Sequence, residues 1–259
     1  MEMSHKLLPW GLMLALGLPA VAQATLISRL AGQAYYDTVL DITWLQNANL
    51  ANTQTFGVAG VNAGGTMTWD TANLWITAMN ANGGTGHLGI NNWRLPTLSP
   101  VNGSTFNTGF SNNGTTDLGT GATGIGWQFA GDFVSEMGYM FYANLGNLGT
   151  CTPNNASHGS CAFQAGSGLA NTAPFSNLQS VRWWSGLELS LRAEFAWTFY
   201  FDEGNQNADD KRSNLFAWAV RSGDVAATVP EPGTVLLVGA GLLGLMGFKR
   251  SKRRGASVI

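Results

Sequence analysis

The sequence predicts an α+β domain, on three observations. Two segments carry apolar residues at helical spacing, several others alternate apolar and polar residues at strand spacing, and no internal repeat or linker divides them. The domain occupies residues 25–228, because each end of the chain reads as an address rather than as part of the fold. Residues 1–24 open with Lys6, run apolar from Leu7 to Leu18 and end in Ala22-Gln23-Ala24. A basic start, a short apolar stretch and a small-x-small end compose a secretory signal peptide, with Ala22 and Ala24 as its cleavage residues.

Within the domain, residues 25–51 read as paired strands. Asp37 to Leu45 is β-branched and aromatic, and Leu40, Ile42 and Trp44 fall on one face. Residues 57–66 read as a loop. Thr68 is placed to cap a helix from Trp69 to about Asn80, with Asp70 favourable in its first turn. Trp69, Ala72, Ile76 and Met79 share its apolar face, and Asn82-Gly83-Gly84 ends it. In the following Asn92-Trp93-Arg94-Leu95-Pro96-Thr97, Pro96 forces Leu95 towards extended backbone.

Residues 99–126 are rich in Gly, Asn, Ser and Thr without a period, and predict a long surface excursion. A second helix is expected over residues 132–145, with Phe133, Met137, Met140, Phe141 and Leu145 as its stripe. A strand with Phe195, Trp197, Phe199 and Phe201 on one face is expected to pair with one carrying Phe216, Trp218 and Val220. Antiparallel strands with two main helices result.

The tail, residues 229–259, begins Val229-Pro230-Glu231-Pro232. An apolar run predicting a hydrophobic helix at 233–248 follows, then a basic end at 249–254. The apolar run has 16 residues, just short of the about 17–25 of a spanning helix. The basic end belongs on the cytoplasmic side, and a signal peptide places the body on the other. Pro230-Glu231-Pro232, an apolar stretch and an Arg-rich end resemble the PEP-CTERM sorting signal. That resemblance implies three partners: the membrane through the tail, an exosortase-type protease, and extracellular polysaccharide of a biofilm matrix. It implies a protein anchored by its tail, then placed at the cell surface or outside the cell after processing.

Charge narrows the body's partners. Thirteen acidic residues against seven basic give residues 25–228 a net charge of −6. No basic cluster is large enough to neutralise a phosphate backbone, which argues against nucleic acid. Cys151 and Cys161 are the only cysteines, and in an oxidising compartment a close pair most simply forms one disulfide.

Three stretches of the body line up in order: Asp41-Ile42-Thr43-Trp44-Leu45, then Trp69-Asp70-Thr71-Ala72 leading to Trp93-Arg94-Leu95-Pro96-Thr97, then Trp183-Trp184-Ser185 with the closing Phe216 to Arg221. Together they resemble the Lcl C-terminal domain family over about residues 35–222. The chain departs from that pattern in lacking a Gly in the opening strand, in placing Asn92 where the family has Gly, and in following Pro96-Thr97 with Leu98-Ser99-Pro100. The resemblance implies a C-type-lectin-like fold.

Enzyme readings fail on inventory. Beyond the signal only His87 and His158 remain, and no nucleophile elbow, zinc-protease helix or phosphate-binding Gly-rich motif occurs. The expected function is non-enzymatic association with exopolysaccharide. The alternatives are a structural matrix protein without a specific ligand and, further off, a glycan hydrolase. Two sets of residues are candidates for ligand contact. Trp75, Trp127 and Trp183 are the tryptophans not assigned to a core face, and either stack on sugars or pack in the core like the others. Asp202, Glu203, Asn205, Asp209 and Asp210 form an oxygen-rich turn that either holds Ca²⁺ or is an ordinary solvated hairpin loop.

Overall fold

A computed structural model describes residues 26–153 and 161–225. The signal segment with Ala22 and Ala24, His158, and the tail with Pro230, Glu231, Pro232 and its hydrophobic helix lie outside the described residues. In chain order the elements are β1 (Leu26–Arg29), β2 (Ala34–Asp37), β3 (Ile42–Leu45), α1 (Trp69–Ala81), β4 (Phe110–Ser111), β5 (Leu118–Thr120), β6 (Gln128–Phe129) and β7 (Asp132–Phe133). They continue with α2 (Glu136–Tyr139), β8 (Arg182–Glu188), β9 (Phe195–Tyr200), β10 (Asn205–Asp210) and β11 (Val220–Ser222). The architecture mixes helix with mainly antiparallel sheet: one sheet in the order β1-β2-β3-β11, a larger one in the order β4-β5-β10-β9-β8, and the small β6-β7 pair.

The stretch 37–45 is a hairpin rather than one strand. The buried Asp37 carboxylate accepts from the Val39 and Leu40 backbone N–H groups and from Asn144 Nδ2, which turns the chain between β2 and β3. Burial pushes the Asp37 carboxyl above its ordinary value, against the pull of those donors.

Helix α1 matches its expected span, and the Thr71 N–H donates to the Thr68 hydroxyl at its start. Its buried stripe is Ala72, Trp75, Ile76 and Met79. These positions lie three and four residues apart, so the stripe includes Trp75 and leaves Trp69 half-buried at its edge.

The second helix begins at Glu136, four residues later than expected. Asp132 and Phe133 instead pair with β6, and Ser135 caps the helix by accepting from the Gly138 N–H. The chain then widens into a π-helical turn over Met140–Asn144.

The aromatic strand β9 pairs with β8 and β10, not with the segment carrying Phe216 and Trp218. That segment leads into β11, which pairs with β3. The C-terminal strand therefore closes the other sheet, and Trp218 enters the core between the two sheets.

The 99–126 stretch is not structureless. It supplies β4 and β5, which run parallel, and β5 continues the main sheet alongside β10. The parallel pair requires Gly119: its φ is +113°, and a Cβ there would meet the Ser111 carbonyl oxygen. Cys151 and Cys161 form the expected disulfide, with a Cα–Cα separation of 5.3 Å. Replacing both cysteines with serine is expected to cost about 2.7 kcal/mol of stability, measurable as a lower urea midpoint.

Candidate functional site

Burial favours core packing over sugar stacking for the candidate tryptophans. Trp75, Trp127 and Trp183 are 0%, 1% and 0% exposed. The physical reason is hydrogen bonding within a loop-rich fold. Seven of the nine described tryptophans donate their indole N–H to a backbone carbonyl, among them Trp75 to Gln54, Trp127 to Thr116 and Trp183 to Gln179. For these three the acceptor carbonyls lie in loops, and a buried indole brings both bulk and a donor to them. The three candidate tryptophans hold loops and leave no ring face for a ligand.

The oxygen-rich turn also separates. Only Phe201–Gly204 turns, while residues from Asn205 onward form β10 and alternate across the sheet. Asp209 accepts from Thr198, Tyr200 and Arg182, and Asp210 is forked by Arg212. The Arg212 hydrogen bonds hold the Asp210 carboxyl down at about 2. Burial, reinforced by Asp209, pushes the Tyr200 hydroxyl up. Asp202 and Glu203 are exposed and Asn205 is buried. Ion pairing thus commits Asp209 and Asp210 elsewhere, and the extended run of β10 separates them from Asp202, Glu203 and Asn205. Among the described residues no three His, Cys, Asp or Glu side chains gather as a metal site.

The Trp-Arg-Leu-Pro-Thr segment is a structural junction. The Asn80 side chain on α1 bonds the Trp93 backbone at both N–H and C=O, each at 2.8 Å. Arg94 pairs its backbone with Val220 and forks both oxygens of Glu136 at 2.7 and 2.8 Å. Glu136 also accepts from the Thr97 N–H. One turn thereby ties α1, α2 and β11 together.

A groove shaped to receive a ligand lies elsewhere, and the sequence reading missed it. Strand β5 covers β10 only at Asn205 and Gln206, so the β10 edge is uncovered from Asn207 onward. Against that edge, the turn joining β8 to β9 and the loop before β4 enclose a groove of about 390 Å³. Leu118, Leu189, Phe195 and Ala208 give it an apolar floor continuous with a small cluster around the buried Trp197. Thr108, Arg192 and Asn207 supply its polar groups, and Leu191, 72% exposed, stands at its rim. These residues come from four separate segments and form no local motif. The one legible signal was Leu189-Ser190-Leu191-Arg192, two leucines beside an arginine in a turn that should be polar.

Asp117, next to the groove-lining Leu118, fastens the loop that carries Thr108. Wholly buried, its carboxylate accepts from the Val101 and Asn107 backbone N–H groups at 2.9 and 2.7 Å. Its carbonyl accepts from Gln206 Nε2 on β10. Burial raises its pKa against those bonds. Replacing Asp117 with alanine orphans two donors and is expected to cost about 2–3 kcal/mol. Limited proteolysis should then cut within residues 99–117 before the rest of the domain.

Residues 228–254 match the PEP-CTERM protein-sorting motif. No curated protein and no solved structure matches the chain. The motif marks an exported protein subject to exosortase processing, with a surface or extracellular destination.

Proposed function

We propose that the exported body is a non-enzymatic domain of C-type-lectin-like kind that associates with exopolysaccharide at the cell surface or in the extracellular matrix. Its tail holds it in the membrane until an exosortase-type protease acts. The sorting motif at residues 228–254 carries this reading, because it marks a body exported to the surface or beyond, where extracellular polysaccharide is an available partner. Mixed α+β architecture with antiparallel sheets is compatible with a lectin-like fold. The groove beside β10 offers what a sugar needs, an apolar floor edged by hydrogen-bonding side chains.

One observation favours a second reading, a structural matrix protein without a specific ligand: the three tryptophans that were candidates for stacking on sugars all serve the core. The hydrolase alternative gains nothing from the two fully buried aspartates. Asp37 and Asp117 are each committed to backbone donors, and neither faces the other as an acid–base pair would.

The test is binding of the full chain, in detergent, to a glycan array and to purified exopolysaccharide, with Ca²⁺ and with chelator. Saturable binding that free sugar competes away, and that survives chelation, is the expected result. No binding in either condition favours the structural reading.

A further inference from the structure

The geometry points to a subsite for a carboxylate-bearing sugar ring, a uronate unit, in the groove between β10 and the β8–β9 turn. This rests on the polysaccharide reading above and gives it a site and a ligand class.

The first argument is charge. Of the seven basic side chains of the body, five are held in ion pairs: Arg29, Arg94, Arg182, Lys211 and Arg212. Arg221 donates to the backbone carbonyls of Ser222 and Asp224. Arg192 alone, among the described residues, has a guanidinium with neither a hydrogen bond nor an ion pair. It rests over the Phe195 ring, 5.8 Å from its centroid. In a body where acids outnumber bases nearly two to one, an arginine left without a carboxylate is unusual, and no acidic residue lines its groove.

The second argument is the direction of the remaining polar groups. Asn207 Oδ1 accepts from the Ala208 N–H at 2.8 Å, and its Nδ2 has no acceptor among the described residues. That same bond caps the exposed edge of β10 and discourages a peptide from adding as a further strand. Thr108 contributes a hydroxyl with no partner among the described residues. The groove therefore offers a guanidinium, an amide donor and a hydroxyl around an apolar floor. A uronate ring matches it: a carboxylate for the guanidinium fork, hydroxyl oxygens for the amide donor, and an apolar C–H face for Phe195 and Leu189.

The experiment measures affinity of the full chain for oligogalacturonate, its methyl ester, and polyglutamate of similar length, alongside the native exopolysaccharide. Wild type should bind oligogalacturonate at least about ten-fold more tightly than the ester. R192Q should abolish that preference and N207D should weaken oligogalacturonate binding through like charge, with circular dichroism confirming the fold of both. Polyglutamate binding as tight as the sugar would overturn the assignment to a sugar. Exopolysaccharide binding that ignores R192Q and N207D would overturn the site while leaving the polysaccharide reading intact. No binding to any glycan would overturn both.

Discussion

Replacing Trp218 with alanine is expected to lower stability by about 4 kcal/mol, the largest effect of any single substitution considered. Trp218 is 0% exposed. Its ring centroid lies 4.6 Å from that of Trp44, 4.8 Å from Phe175 and 6.1 Å from Trp183. Its indole N–H donates to the Leu45 carbonyl at 2.7 Å. The residue thus joins the chain leading into β11 to β3 and to aromatic side chains of both sheets. Alanine leaves a cavity that such a set of rings cannot close. For a body of this size the loss corresponds to a fall in Tm of about 8–16 °C. Phenylalanine keeps most of the volume and forfeits the hydrogen bond, so W218F should cost about 1 kcal/mol for the bond plus a small packing loss. Thermal unfolding of the two variants separates packing from hydrogen bonding.

The second large effect is expected at Glu136. Its carboxylate receives three donors, two from Arg94 and one from the Thr97 backbone, and its side chain is 13% exposed. E136A leaves the arginine fork and a backbone N–H without their acceptor, at a cost of about 2–3 kcal/mol. E136Q keeps the shape but loses the charge and one acceptor, and should fall between. Urea unfolding measures both. If the Trp-Arg-Leu-Pro-Thr segment is a junction and not a ligand site, E136A will lower the urea midpoint while native E136A protein binds glycan as wild type does.

Some of this was legible in the residues and some was not, for physical reasons. Helix α1 was readable because its cap, its apolar spacing and its Gly-rich stop all lie within the segment itself. The alternation of β9 was likewise local, but its partners were not: the aromatic run at 216–220 suits either sheet, and long-range pairing decided for β3. The start of α2 was misplaced because Asp132 and Phe133 carry helical spacing yet are claimed by β6. The burial of Trp75 follows from the width of the α1 stripe, which takes in both Trp75 and Ile76. Burial of Trp127 and Trp183 depends on rings brought from elsewhere in the chain, Tyr142 and Phe199 for the first and Phe201 and Trp218 for the second, which no sequence period announces. The groove was illegible for the same reason, since Arg192 becomes distinctive only once every other basic side chain is seen to be occupied.

The most direct test of the proposed function is hydrogen–deuterium exchange of the full chain with and without saturating exopolysaccharide. Protection confined to residues 106–118, 187–195 and 205–210 is the predicted result, because those segments enclose the groove. Protection centred on the 93–97 junction or another face would contradict the groove as the site, and no change at saturation would contradict the polysaccharide reading itself.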